Sequence, residues 1–135
     1  MDASSEIARF NMIQQQVRPW EVLDDRVLAI MGEIAREPFV PDAYRGLAYA
    51  DIEVPLAAAG VMLAPRVVGR LLQALDLKPT DRVLEVGTGS GYLSACLSRL
   101  GASVISLELD PGLAAAAQER LARLGFARIE VRVAD

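Results

Sequence analysis

One ten-residue run concentrates the chemistry of this chain: Val83-Leu84-Glu85-Val86-Gly87-Thr88-Gly89-Ser90-Gly91-Tyr92. Glycines at alternate positions permit positive φ and let a ligand come close to the backbone. A helix starting after them offers unpaired N–H groups. Glu85 stands two residues before the first glycine, where it would repel a pyrophosphate and attract a cation. Glu108, followed by Leu109 and Asp110, can accept both hydroxyls of a ribose. Asp135 can accept from an adenine amino group. A ligand cationic at one end and a nucleoside at the other fits these groups, which points to S-adenosylmethionine.

Other nucleotide motifs match less well. The dinucleotide fingerprint G-x-G-x-x-G needs its last glycine at position 92, where bulky Tyr92 stands. Tyr92 and Glu85 therefore argue against a dinucleotide-dependent oxidoreductase. The phosphate loop G-x-x-x-x-G-K-[ST] is absent, and Lys78 is the only lysine. The chain has no histidine and one cysteine, Cys96, so Ser-His, Cys-His and zinc sites are excluded and no internal disulfide can form. Cys96, among Leu93, Ala95 and Leu97, reads as a buried small apolar residue.

These residues need a scaffold of alternating strands and helices. Arg82 to Val86, Ser103 to Glu108 and Ile129 to Val133 read as strands. Tyr92 to Leu100 and Pro111 to Leu124 read as helices ended by Gly101 and Gly125. The β-α-β-α-β order predicts parallel strands and half of a doubly wound sheet. Upstream, Ser4 or Ser5 can cap a helix carrying Ile7, Phe10, Ile13 and Val17, ended by Pro19. Asp24 opens a second helix with Val27, Leu28, Ile30, Met31 and Ile34. An irregular segment from Pro38 to Pro65 precedes a third helix bearing Val67, Val68, Leu71, Leu72 and Leu75. Residues 1–79 thus form a helical extension with an acceptor-side loop, and 80–135 the first half of a Rossmann-like binding domain.

Composition sets outer bounds. The chain has 135 residues, 53% hydrophobic and 24% charged, enough apolar surface for a folded core. Its net charge of −4 argues against a general grip on nucleic acid. The arginines at 120, 123, 128 and 132 alternate with acids and read as a solvated face. No apolar run is long enough to cross a bilayer, and MDASSEIARF is not a signal peptide. A cytoplasmic location without membrane or nucleic-acid partners is the expectation. The third strand ends at the last residues, leaving one side of the first strand unpaired. That reads as the N-terminal portion of a longer protein, with weak cofactor binding and little turnover from these residues alone.

VLEVGTGSGY resembles the first motif of class I methyltransferases, and most closely that of protein-L-isoaspartate O-methyltransferases. RFNMIQQQVRPW and REPFVPDAYRGLAYADIEVPL are similar to that family's N-terminal extension, with FVP, AYAD and Pro55-Leu56 in the same order. The likeness runs from Ala8 to Asp135, and Ala134-Asp135 falls where the family has Gly-Asp. The resemblance implies a Rossmann-like class I methyltransferase fold, truncated after the third strand, that transfers methyl from S-adenosylmethionine to the carboxylate of L-isoaspartyl residues in damaged proteins. It implies cofactor contacts from Glu85, Val86, Gly87, Thr88, Gly89, Ser90, Gly91, Tyr92, Glu108, Leu109 and Asp135. No catalytic acid or base and no metal ligand is implied, because a carboxylate acceptor is already ionised at neutral pH.

The acceptor loop departs from the family pattern G-x-G-x-x-I-S-x-P. With its proline on Pro65, Leu63 takes the serine position, and Ala57 and Ala59 replace the glycines. Leu63 and Asp51 are the substrate-side candidates. Asp51 can orient a substrate amide or cap local backbone donors. Trp20 reads as a helix-packing residue. A relative that methylates another acceptor, or binds cofactor without turnover, is the alternative.

Overall fold

The computed structural model describes residues 3–57 and 60–135. Its elements are α1 (Ala3–Met12), α2 (Asp25–Glu33), β1 (Val54–Pro55), β2 (Val61–Met62), α3 (Pro65–Leu75), β3 (Arg82–Val86), α4 (Tyr92–Leu100), β4 (Ser103–Glu108), α5 (Pro111–Arg123) and β5 (Ile129–Val133). β3, β4 and β5 form a parallel sheet in that order. Val83, Val104 and Ile129 lie in one register row, and Glu85, Ser106 and Val131 in the next row of the same face. This is the expected Rossmann-like α/β arrangement behind a helical N-terminal segment. Parallel neighbours need long crossovers, which α4 and α5 supply.

Local chemistry explains where the helices start. Asp24 caps α2 by accepting from the N–H groups of Arg26 at 2.9 Å and Val27 at 3.4 Å. Asp110 caps α5 by accepting from Leu113 N–H at 2.8 Å. Pro65 and Pro111 occupy first-turn positions, where the missing N–H costs nothing. α3 ends three residues before Lys78.

The N-terminal helix departs from expectation in three respects. Ser4 and Ser5 lie inside its first turn rather than capping it. Ile7 and Phe10 are exposed, whereas Met12, Ile13 and Val17 enter the core. Pro19 has no N–H to continue the ladder, and the chain unwinds through a π turn (Ile13–Val17) and a 3-10 turn (Arg18–Trp20). On α3 the buried face is Val68, Gly69 and Leu72, while Leu71 and Leu75 face outward.

The irregular stretch after α2 holds two 3-10 turns, Glu37–Phe39 and Asp42–Leu47, and the antiparallel β1–β2 hairpin. The hairpin was not anticipated from the sequence. Its Leu56 N–H donates to the Gly60 carbonyl at 2.8 Å. Ala59, one of the two acceptor-loop alanines, lies outside the described residues.

One core runs through both parts of the chain, from Val17, Val22 and Met31 to Phe39, Tyr92 and Leu121. At Gly69, α3 packs tightly against that core. A methyl group there would lie 2.9 Å from Val17 Cγ1 and 3.2 Å from Val22 Cγ2. Gly69→Ala is therefore expected to destabilise the fold by about 1–3 kcal/mol through overpacking, despite the better helix propensity of alanine. Chemical denaturation of the two proteins checks this, and an unchanged midpoint would contradict it.

Candidate active site

The site forms at the carboxyl ends of β3 and β4, where open α/β sheets bind ligands. After Val86 the chain makes a tight loop held to the next strand. Gly87 N–H and Thr88 N–H both donate to the Leu107 carbonyl, at 2.7 and 3.2 Å. Gly87, Gly89 and Gly91 take φ of +95°, +56° and +93°. At Gly89 a Cβ would also sit 3.2 Å from Leu56 Cδ1, so the hairpin closes directly over the loop. At Gly91 it would sit 3.3 Å from Leu121 Cδ1 on α5. Side chains at these two positions would meet strain and collision together.

Glu85 is buried beneath the loop. Its Oε1 accepts from Ser106 Oγ at 2.6 Å and from Ser94 Oγ. Ser106 Oγ in turn lies 2.6 Å from Thr88 Oγ1, so Thr88 donates to Ser106, whose own hydrogen serves Glu85. Glu85 Oε2 is buried with no partner. Burial pushes the Glu85 carboxyl above its ordinary value, the two serine hydroxyls pull it back, and nearby Glu108 pushes it further up. A cation beside Oε2 would relieve both penalties.

Glu108 is also buried, and its two oxygens are oriented by backbone. Oε1 accepts from Gly89 N–H and Oε2 from Asp110 N–H, each at 2.9 Å. A carboxylate has about four acceptor positions, so two remain after these bonds. The loop and Glu108 therefore position one another. Next to Glu108, Leu109 projects an exposed apolar side chain, 68% accessible. Ala134 N–H donates to the Glu108 carbonyl at 3.0 Å, which brings exposed Asp135 to the same end of the sheet.

A cavity of about 60 Å³ lies between the loop and the hairpin. Glu85, Gly87, Thr88, Gly89, Ser90 and Tyr92 border it on one side, and Val61, Met62 and Leu63 on the other. That volume takes a small charged tail and is far below the ~300 Å³ minimum of a whole small-molecule pocket. A whole nucleoside ligand would therefore exceed this cavity and lie partly over open surface. Val86 is in line with this placement only through its backbone, since its side chain is 80% exposed on the outer face of the edge strand.

Three sequence readings change. Asp51 neither caps backbone donors nor faces the cavity; its Oδ1 pairs with Arg66 Nη1 at 2.5 Å. Arg66 also covers the Trp20 ring at 4.7 Å, so Trp20 stacks on a cation at the surface and is not buried in helix packing. Arg120 is not part of a solvated face: its Nη1 donates to the Ser90 carbonyl at 2.9 Å and braces the glycine loop. Arg123–Glu119 and Arg132–Glu130 do form exposed ion pairs. Cys96 is buried as expected, and burial pushes its thiol up to about 12.

Arg36 escaped the sequence reading altogether. It is fully buried, and no described carboxylate lies within ion-pair distance of it. Its only sequence signal is its place directly before Glu37-Pro38-Phe39, in a segment already noted for other reasons.

The family model described as Protein-L-isoaspartate(D-aspartate) O-methyltransferase matches residues 8–135. Protein-L-isoaspartate O-methyltransferase 2 of Anaeromyxobacter sp. (strain Fw109-5) is 41% identical over 133 residues, covering 98% of this chain and 55% of that protein. Protein-L-isoaspartate O-methyltransferase of Aeropyrum pernix is 44% identical over 132 residues, covering 95% and 51%. A solved protein-L-isoaspartate O-methyltransferase superposes with a TM-score of 0.81 at 25% identity, covering 94% of this chain and 42% of that one. A putative protein-L-isoaspartate O-methyltransferase from Plasmodium falciparum, solved with S-adenosyl-L-homocysteine, shares the fold with a TM-score of 0.77 at 23% identity, over 92% and 62%. The chain spans about half the length of the curated relatives it matches.

Proposed function

This chain belongs to the protein-L-isoaspartate(D-aspartate) O-methyltransferase family, and from that premise we propose that it carries the S-adenosylmethionine-binding part of an enzyme that methylates L-isoaspartyl carboxylates in damaged proteins. The observation that carries this reading is the buried pair Glu85 and Glu108 on either side of a positive-φ glycine loop, with Glu85 Oε2 lacking any partner. Residues 1–79 serve the acceptor side and residues 80–135 the cofactor side.

Each group then has a task. Glu85 neutralises the cationic amino-acid end, and Thr88, Ser94 and Ser106 hold its carboxylate in one rotamer. Gly87 to Gly91 bring backbone against the ligand where side chains would obstruct it, with Ser90 and Tyr92 forming the cavity wall. Glu108 offers its remaining acceptor positions to ribose hydroxyls, Leu109 covers a base, and Asp135 meets the base's amino group. Val86 contributes through the backbone of the strand end.

When bound, S-adenosylmethionine supplies an activated methyl on a sulfonium. The acceptor carboxylate is already ionised, so no side chain has to remove a proton. The protein's contribution is alignment of carboxylate, methyl and sulfur, with water kept out. The adjacent backbone nitrogen then attacks the methyl ester, methanol leaves, and the resulting succinimide can be reopened by water as normal aspartate.

One observation favours a second acceptor class. The hairpin wall facing the loop presents Val61, Met62 and Leu63, and no hydroxyl stands where the family has serine. A relative using another acceptor, or retaining cofactor without turnover, would have this wall. A cytoplasmic location fits the family chemistry, and no described helix is long and apolar enough to cross a membrane.

Labelled methyl transfer separates these readings. The chain, and the chain extended by its native downstream residues if the gene continues, are incubated with methyl-labelled S-adenosylmethionine and matched isoaspartyl and aspartyl peptides. Base-labile label on the isoaspartyl peptide alone is expected. Label on neither peptide, with methylation of a different acceptor, would contradict the isoaspartyl assignment.

A further inference from the structure

We propose that Arg36 is a positioning residue whose buried guanidinium fixes the distance between the acceptor-side hairpin and the glycine loop. The planar fork reaches three separate parts of the chain. Nε donates to the Ala48 carbonyl at 2.7 Å, and Nη2 donates to the Leu63 carbonyl at 3.4 Å. The guanidinium carbon lies 4.6 Å from the centre of the Tyr92 ring. Its own backbone N–H donates to Tyr49 Oη at 3.2 Å, and that hydroxyl donates to Glu37. Arg36 is thus anchored at its root and grips both walls at its tip.

Those walls are the ones that matter. Leu63 and Tyr92 face each other across the cavity, and Leu56 of the same hairpin rests on Gly89. Releasing the Leu63 carbonyl would free the hairpin to move off the loop. The same core packs Ala48, Leu63 and Tyr92 together, but among the described hydrogen bonds only this fork engages both the Ala48 and the Leu63 carbonyl.

The chemistry selects arginine specifically. A buried cation without an acid is costly, and an apolar residue of similar volume would fill the space with less desolvation. Nη1 has no partner, so the group is not tuned for maximal stability. What a guanidinium adds is direction: two donors in one plane and a flat face for an aromatic ring. Lysine carries its three donors on one compact ammonium, without the planar spread that reaches two separate carbonyls or the flat face that stacks on a ring. Phe39 supports the arrangement by meeting the Tyr92 ring edge-on at 5.6 Å.

The test uses the chain with Arg36→Met and Arg36→Lys. Two readouts are taken: amide hydrogen exchange across residues 60–64 and across β4, and affinity for S-adenosylhomocysteine by calorimetry. The second readout rests on the proposed cofactor site; the first does not. Arg36→Met is expected to keep one cooperative unfolding transition, to exchange about ten-fold faster at residues 60–64 with β4 unchanged, and to bind about ten-fold more weakly. Arg36→Lys should lie between Met and wild type on both measures. Wild-type exchange at residues 60–64 in a folded Met or Lys variant would overturn the proposal, as would wild-type affinity in both. Loss of cooperative unfolding in both variants would overturn it too, since Arg36 would then be a fold residue. Failure of the wild-type chain to bind would sink the cofactor reading instead, and the exchange result would still decide the role of Arg36.

Discussion

Glu108→Ala is expected to weaken S-adenosylhomocysteine binding by about a hundred-fold or more. Two effects add. The variant loses the acceptor positions proposed for the ribose hydroxyls, where hydrogen bonds to a charged group contribute about 1.5–3 kcal/mol each. It also frees Gly89 N–H and Asp110 N–H, which the carboxylate now holds at 2.9 Å. The glycine loop would then lose its Gly89 tie to β4, while Gly87 and Thr88 would still be held by the Leu107 carbonyl. Glu108→Gln separates the two, because its carbonyl oxygen can still hold one N–H while the charge is gone. Calorimetric titration of both variants should rank them wild type, Gln, Ala. Equal affinity in all three would remove Glu108 from the ligand site and leave it as a brace for the loop.

Glu85→Gln has the second largest expected effect, about thirty-fold on affinity, with an opposite effect on the fold. Glutamine keeps an oxygen for Ser94 and Ser106, so the hydroxyl network survives and only the charge disappears. The sign on stability follows from the raised carboxyl. Burial holds the folded value above the ordinary 4.5, so between those two values the folded state binds more protons than the unfolded state. Stability therefore falls as pH rises through that window, and above it the ionised carboxylate carries the full penalty. Removing the charge should leave the protein as stable or more stable at neutral pH. Ligand binding runs the other way: a cation at Oε2 favours the ionised form, so wild-type affinity should rise with pH across the same window and level off above it. Glu85→Gln should flatten that profile. A Gln variant that binds like wild type at neutral pH would show that Glu85 is a core residue unconnected with the ligand.

The second half of the chain was legible because its determinants are local. Each strand of the sheet is a short run rich in apolar residues with a glycine or proline close before it, α4 follows Gly91 and α5 its Asp110 cap, and the shared face of Ser106 and Glu108 follows from a period of two. The first half was harder because its determinants are distant. Nothing near Ile7 or Phe10 announces that they face outward; that depends on the unwinding at Ile13–Val17. The two-residue strands of the hairpin are set by packing against Gly89, thirty-odd positions away in the chain. Arg36 looks like any surface cation until the carbonyls of Ala48 and Leu63 are folded around it. Asp51 looked like a substrate contact because Arg66, its partner, is brought near by the same hairpin.

The sequence placed Glu85 and Glu108 together beside the glycine loop, and the structure has them there. Placing Glu85 and Glu108 at adjacent strand ends needed only the strand period. Their division of labour did not follow from it. One carboxylate is satisfied by hydroxyls on a single oxygen and the other by backbone on both, and this depends on the path of the loop between them.

The most direct test is a titration of isotope-labelled protein with S-adenosylhomocysteine, followed by amide chemical shifts, with NAD as the control. Saturable shifts centred on Gly87 to Gly91 and on Glu108 to Asp110, absent with NAD, are the expected result. Shifts elsewhere, or a response to NAD confined to the same loop, would contradict an adenosyl-donor site built from this loop and its two buried carboxylates.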